Sequence, residues 1–257
     1  MDSKKPRLGV FKFSSCDGCQ LSVLDMEDEL LAVVGHFDIR EFLEASSDAK
    51  GGPYDVALVE GSISTPDEVE RIKKIRQESK LLVTIGACAT AGGLQALRNW
   101  GKLEDFKSAA YPEPSFLTSL EKALPVADYV PVDFELRGCP VNKVQLAQLF
   151  AAVLSGSKPR FPSNAVCFEC KRRGNVCVVV AKGVPCLGPV TMDGCGSICP
   201  SFGRGCYGCF GPADTVNLES YVQWLEGRGI PRPRMKQLVG GINSYSKEFK
   251  EWLVKQQ

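Results

Sequence analysis

Two hydrophobic rhythms alternate along the first 155 residues. Short apolar runs at 8–13, 37–43, 55–59, 81–85 and 129–134 have the length and make-up of strands. Between them lie stretches with apolar residues at helical spacing. One covers 20–34, rich in Leu and Val. A second covers 65–80, where Thr65 stands as N-cap, Pro66 takes the first helical position, and Asp67 and Glu68 fill the first turn. A third covers 141–154, with Val144, Leu146, Leu149, Phe150 and Val153 available for its apolar face. Strands alternating with helices predict an α/β fold built on a flavodoxin-like, doubly wound, mainly parallel sheet.

The rhythm stops near Gly156. Residues 167–209 hold eight cysteines, many glycines and little periodicity. Such a segment buries little apolar area, so it reads as a smaller, mostly irregular domain ordered by something other than a hydrophobic core. Bound metal can do this, because ligand-binding free energy becomes folding free energy. Residues 214–257 return to mixed polarity, with helices expected at 218–227 and 247–255. The expected division is therefore a flavodoxin-like domain at 1–155 and a cysteine-rich domain at 156–257.

Bulk composition narrows the function classes. The chain has 257 residues, 44% of them hydrophobic, with a net charge of +1. That supports one sizeable core plus an appendage, and it exerts no strong pull toward nucleic acid or a lipid surface. No apolar run approaches the length of about 18 residues that a membrane span needs. The opening run from Met1 to Arg7 has neither a signal-peptide nor a twin-arginine pattern, so a soluble cytoplasmic protein is expected.

Twelve cysteines are then the anomaly. Cytosolic thiols are kept reduced, and clustered cysteines there bind metal or do redox chemistry rather than form disulfides. Cys16 and Cys19 follow the first predicted strand, Cys88 follows the strand at 81–85, and Cys139 follows the strand at 129–134. Loops at the carboxyl ends of a doubly wound sheet converge on one crevice. These four thiols are thus expected on one rim, as one tetra-thiolate site. A flavin phosphate at the same rim is the rival. It would use backbone N–H groups and hydroxyls such as Ser14 and Ser15, but cysteines occupy the middle of the loop and no phosphate-loop motif occurs.

The other eight run Cys167-x2-Cys170-x6-Cys177-x8-Cys186, then Cys195-x3-Cys199-x6-Cys206-x2-Cys209. Eight thiolates suit two four-ligand sites, and the contiguous split is the simplest of several divisions. Zinc and iron–sulfur clusters both accept four thiolates. Structural zinc sites commonly use two C-x2-C pairs per metal, whereas each group here has one. Cys139 and Cys199 are followed by proline, as in ferredoxin-type runs. Gly86, Gly138, Gly194, Gly196, Gly203, Gly205 and Gly208 lie near cysteines, where backbone N–H groups could reach cluster sulfurs. These patterns favour iron–sulfur over zinc.

The motifs Cys16-Asp17-Gly18-Cys19, Val59-Glu60-Gly61-Ser62, Gly86-Ala87-Cys88-Ala89, Arg137-Gly138-Cys139-Pro140, Cys186-Leu187-Gly188-Pro189 and Cys206-Tyr207-Gly208-Cys209 occur in one order. In that order they resemble the small subunit of nickel–iron hydrogenases, over roughly residues 7–212. The likeness is to the cytoplasmic type found in sulfhydrogenase, coenzyme-F420-linked and NAD(P)-linked enzymes. It implies that Cys16, Cys19, Cys88 and Cys139 hold a proximal [4Fe–4S] cluster. It likewise implies a distal cluster on Cys167, Cys170, Cys177 and Cys186 and a medial one on Cys195, Cys199, Cys206 and Cys209. Many periplasmic relatives have histidine where Cys167 stands and a three-iron medial cluster lacking a partner for Cys199. Extra thiolates add negative charge and should lower cluster potentials. The related small subunit of proton-pumping quinone reductases uses two adjacent cysteines and lacks the eight-cysteine tail, so it fits less well.

What the resemblance implies is an oxidoreductase subunit without an active site of its own. It would relay electrons through three [4Fe–4S] clusters between the nickel–iron site of a large subunit and a diaphorase or ferredoxin-type partner, with no nucleic acid and no membrane span. A complex I-like electron-transfer subunit and a zinc-stabilised interaction module are the alternatives. Among other residues, His36 is lone and reads as structural or exposed. Glu60 ends a strand at the rim. The resemblance implies a place on a proton path for it, with an N-cap or packing role as the alternative. The run Lys171-Arg172-Arg173 reads as a solvated face, with steering of an acidic carrier as the alternative.

Overall fold

The computed structural model describes residues 5–161 and 163–256. Residues 1–4, on which the expectation of no leader rests, lie outside them, as do Pro162 and Gln257. The chain divides into two compact units, Met1–Pro159 and Arg160–Gln257.

The first unit is a five-stranded sheet of β1 (Arg7–Lys12), β2 (Asp38–Phe42), β3 (Tyr54–Glu60), β4 (Ser79–Ile85) and β5 (Phe134–Leu136), in the order β2-β1-β3-β4-β5. Every pairing is parallel; Leu8 lies opposite Val56, and Glu60 opposite Ile85. Strand order reverses between β1 and β3, the switch point of a flavodoxin-like sheet. The expected α/β fold is therefore present. β3 is buried along nearly its whole length, which explains why its sequence reads as a continuous apolar run rather than an alternation.

The helices of this unit are α1 (Gly18–Leu24), α2 (Asp28–His36), α3 (Pro66–Glu78), α4 (Gly86–Ala91), α5 (Leu103–Ala110) and α6 (Lys143–Leu154). α3 begins as its sequence predicts. Thr65 Oγ1 accepts from the Glu68 N–H at 3.3 Å, and the Glu68 carboxylate accepts from the Thr65 N–H at 3.1 Å. Its Ile72 and Ile75 enter a core with Phe11, Ala57, Val59 and Leu82. α6 is capped by Asn142, whose side chain accepts from Val144 and Gln145. Leu146, Leu149 and Phe150 are buried as expected, and Phe150 meets Phe37 edge to face at 5.5 Å. Val144 is 64% exposed, against expectation. Two residues are roughly 200° apart on a helix, so Val144 and Leu146 cannot share one face.

Two expected elements differ in extent. The helix expected at 20–34 is broken at Glu27, whose φ is +53°, and Met26 turns into the interior there. The last strand occupies Phe134–Leu136 rather than 129–134. Tyr129, Val130 and Val132 still pack against the core, but as an irregular segment, since Pro131 has no N–H for a ladder. α5 has no fully buried residue, which is why no strong apolar pattern marks it.

The second unit opens with short helices α7 (Val166–Arg172), α8 (Val178–Lys182) and α9 (Ile198–Ser201) among turns, followed by α10 (Leu218–Glu226), α11 (Arg232–Val239) and α12 (Lys247–Val254). α10 and α12 match the two expected helices; α11 carries only Met235 and Val239 as buried residues, too few to stand out in sequence. Val222, Leu225, Met235, Phe249 and Trp252 form the apolar interior of this three-helix end.

Candidate metal centres

At the rim of the first unit, β1, β4 and β5 are parallel, so their carboxyl ends deliver Cys16 and Cys19, Cys88, and Cys139 to the same side of the sheet. Backbone contacts lock these loops together. The Ala87 N–H donates to Gly138 O at 2.7 Å, tying the start of α4 to the Cys139 loop. Gly86 has φ +83°, and a side chain there would overlap the Cys19 sulfur. A Cβ on Gly18 would stand 3.4 Å from the Cys16 sulfur and 3.9 Å from Pro140. The thiols of Cys16, Cys88 and Cys139 lie within electrostatic reach of one another, and Cys19 within reach of Cys88 and Cys139.

Burial pushes the Cys19 and Cys139 thiols up and the Cys88 thiol up to about 12. Neighbouring thiols and Glu60 add to the effect, so a set of thiolates here requires a cationic centre to neutralise it. Backbone N–H groups of Val141 and Leu94 work the other way, on the Cys19 and Cys88 sulfurs. Among the described residues no three of these side chains meet at single-ion distance. Four loop-held thiols, Cys19 buried, Cys88 and Cys139 half-buried and Cys16 exposed, with N–H groups directed at two of them, have the donor chemistry of an iron–sulfur cluster. Glu60, at the end of β3, is buried, and its carboxylate accepts from the Cys19 and Gln20 N–H groups at 3.0 and 3.2 Å. It thus performs the capping role that was one of its two readings. Burial raises its pKa.

In the second unit, Cys167 is an electrostatic neighbour of Cys186, Cys170 and Cys177, and Cys186 is a neighbour of Cys177 and Cys170. Burial pushes the Cys167 thiol up to about 11 and raises Cys186, Cys195 and Cys206. Cys195 neighbours Cys199, and Cys206 neighbours Cys195 and also Cys186. The Cys186 sulfur accepts from the N–H groups of Cys206 at 3.1 Å and Gly188 at 3.4 Å, and the Cys206 sulfur from Gly208 at 3.4 Å. Cys199 anchors its turn through its carbonyl, which accepts from Phe202 and Arg204.

Several supporting residues carry no sequence signal because their partners are remote in the chain. The Glu169 carboxylate, between Cys167 and Cys170, accepts from the Gly194 and Ser197 N–H groups, both at 3.0 Å. Asn243 Nδ2 donates to Gly208 O at 2.7 Å and Cys209 O at 2.9 Å. The Tyr221 hydroxyl donates to Cys186 O at 2.7 Å. His36 is exposed, with its ring nitrogen 2.7 Å from Ala32 O. Lys171, Arg172 and Arg173 are exposed at the end of α7. No helix among the described residues is long and apolar enough to cross a membrane.

A parallel α/β sheet with a cysteine rim, followed in the chain by a cysteine-rich unit, has the donor set of an iron–sulfur electron-transfer subunit. Residues 16–153 match the family model described as NADH ubiquinone oxidoreductase, 20 Kd subunit. The chain is 40% identical over 223 residues to sulfhydrogenase 2 subunit delta of Pyrococcus furiosus, covering 86% of this chain and 92% of that one. A subunit of the F420-non-reducing hydrogenase vhu of Methanocaldococcus jannaschii is 33% identical over 238 residues, covering 81% and 82%. Among solved structures, a chain of an NAD+-reducing [NiFe]-hydrogenase in the H2-reduced state superposes with a TM-score of 0.58 at 29% identity, covering 62% of this chain and 96% of that one. The chain belongs to the small, electron-transfer subunits of nickel–iron hydrogenases.

Proposed function

We propose that this subunit relays electrons through three [4Fe–4S] clusters between the nickel–iron site of a large subunit and a diaphorase or ferredoxin-type partner. The complex would then oxidise H2 or reduce protons reversibly in the cytoplasm. Bound clusters supply one-electron storage at each site; this chain supplies the thiolates and the N–H donors. The proximal cluster belongs to domain 1–155, on Cys16, Cys19, Cys88 and Cys139. The medial cluster, on Cys195, Cys199, Cys206 and Cys209, and the distal one, on Cys167, Cys170, Cys177 and Cys186, belong to domain 156–257.

The observation that carries this reading is the rim, where the loops after three parallel strands bring Cys16, Cys88 and Cys139 within electrostatic reach of one another and Cys19 within reach of Cys88 and Cys139. The contiguous division of the other eight draws support from Cys167 and Cys186, each of which neighbours both Cys170 and Cys177 as well as the other, although Cys206 also neighbours Cys186. Glycines stand directly against the sulfurs in both units, Gly86 at Cys19, Gly93 at Cys88 and Gly188 at Cys186. With one C-x2-C pair in each set, that close backbone suits a multi-iron cluster better than zinc.

Anaerobic purification of the complex tests the proposal. About twelve iron atoms per chain, and an EPR redox titration with three low-potential [4Fe–4S] signals, are expected. A [3Fe–4S] signal in the intact enzyme, or zinc in place of iron, overturns it.

A further inference from the structure

Glu169 bridges the two cysteine sets of the second unit. It lies on α7 between Cys167 and Cys170, yet its carboxylate reaches the turn that carries Cys195. Oε1 accepts from the Gly194 N–H and Oε2 from the Ser197 N–H, both at 3.0 Å. Oε2 also stands 4.0 Å from the Cys195 sulfur. The turn is shaped to gather N–H groups. Gly194, Gly196 and Ser197 have φ of +127°, +68° and +51°, and Ser197 is fully buried. A serine in the left-handed region is uncommon and persists where its surroundings fix it. Backbone of this kind makes an anion-binding concavity.

At an iron–sulfur site such N–H groups face the sulfurs and favour the more negative, reduced state. The Ser197 and Ile198 N–H groups do lie against the Cys195 sulfur. Glu169, however, takes the Gly194 N–H and shares that of Ser197. A staple between loops needs only an acceptor, which an uncharged amide oxygen supplies. A carboxylate adds negative charge beside a thiol: burial first, and Glu169 with it, raise the Cys195 thiol.

We propose that Glu169 sets a reduction potential: carried on the helix of one cysteine set, it lowers the potential of the cluster held by the set that contains Cys195. Two effects act in the same direction. Negative charge beside a ligand disfavours the added electron, and the N–H groups that Glu169 engages would otherwise favour it. Glu169 is thus a positioning residue for electrons, acting through the Cys195 turn. The inference rests on the electron-relay reading above and deepens it by naming what holds one cluster of the relay low.

The test is an EPR redox titration of the intact, anaerobically purified complex. Glu169→Gln removes the charge, keeps the volume and leaves one acceptor oxygen for the turn. One midpoint should rise, with the oxidised-to-reduced ratio of that cluster at fixed potential falling about tenfold, or about 59 mV for one electron. Iron content should match wild type. Cys167→His marks the other set, and the two variants should move different signals. Glu169→Asp keeps the charge but draws it back by one methylene, so the same midpoint should rise by less than in Glu169→Gln. A residue that only staples the loop would change iron retention and leave the midpoints of loaded protein in place. An unmoved or lowered midpoint in iron-loaded Glu169→Gln overturns the proposal, as does an equal shift of all three or movement of the signal that Cys167→His marks. Should Glu169→Gln lose iron, Glu169→Asp decides by the same criteria. Wild-type complex without iron–sulfur signals counts against the relay itself, so the two failures are distinguishable.

Discussion

Glu60 Oε1 accepts the Cys19 N–H at 3.0 Å across the gap between β3 and α1. Its second oxygen accepts from Gln20 at 3.2 Å. α1 has no local side-chain cap, since Asp17 sits in the left-handed region at φ +66° and makes no capping bond. A remote buried carboxylate therefore fixes the helix that presents Cys19. Glu60→Gln keeps the volume but turns one acceptor into a donor facing an N–H. It should cost about 1–3 kcal/mol of stability and lower iron occupancy at the rim, with Glu60→Ala costing more. Denaturant unfolding of the complexed subunit and iron per chain measure both effects.

Gly86→Ala tests the rim more sharply. The φ of +83° disfavours any side chain, and a methyl group would overlap the Cys19 sulfur. The expected outcome is loss of about a third of the iron, with the signals of the other two clusters intact. Loss of all iron, or of none, would contradict a separate rim cluster.

What could be read from the sequence follows from how local each cause is. The apolar runs behind β1, β3 and β4, the capping box of Thr65 and Glu68, and the Asn142-led helix are encoded within a few residues. The rim was legible because strand alternation fixes where loops go, and Cys16, Cys88 and Cys139 each follow a strand. β5 was misplaced because Tyr129, Val130 and Val132 bury apolar surface without pairing, which a run of hydrophobic residues cannot reveal. Glu169, Tyr221 and Asn243 were invisible for a different reason. Each supports a cysteine loop through hydrogen bonds to backbone groups far along the chain, and the backbone leaves no mark in sequence.

Asn243 is nearly fully buried and donates to two consecutive carbonyls, those of Gly208 and Cys209. Asn243→Leu leaves both acceptors without this donor at a cost of about 2 kcal/mol, while Asn243→Asp sets an acceptor against them and should fare no better. Tyr221→Phe removes one bond, to Cys186 O, and should cost about 1 kcal/mol. The rate at which a chelator strips iron from the anaerobic enzyme should rise in the order wild type, Tyr221→Phe, Asn243→Leu. Equal rates would mean that these side chains do not hold the loops.

Glu219 joins the three C-terminal helices. It pairs with Arg232 at 2.8 Å and accepts from Trp252 Nε1 at 2.8 Å. Arg232 first, then Trp252, holds its pKa down to about 2. Because the folded value lies below the unfolded one, about 4.3, its contribution is complete above that unfolded value and is lost as pH falls toward about 2. The carboxylate is partly exposed, so the pair itself contributes little, and Glu219→Gln should cost about 1 kcal/mol. The difference between wild type and Glu219→Gln, followed by tryptophan fluorescence in denaturant, should stay flat from about pH 6 to 8 and shrink only below about pH 4.5.

Cys167 offers a test of both the cluster assignment and the low potentials proposed here. Its thiol lies among Cys170, Cys177 and Cys186, and Gly188 packs where a Cβ would stand 3.3 Å from the Cys186 sulfur and 3.6 Å from that of Cys167. Cys167→His exchanges a thiolate for a neutral imidazole, removing one negative charge from one ligand set. Less negative charge around a cluster favours its reduced form, so the potential should rise, as it does where histidines replace cysteines in two-iron centres. EPR redox titration should show one midpoint potential moving upward and two unmoved, with iron content retained. Electron delivery to a low-potential ferredoxin should slow, while delivery to a higher-potential dye should not. A shift in two clusters at once would mean that the eight cysteines divide differently, and a downward shift would refute the charge argument.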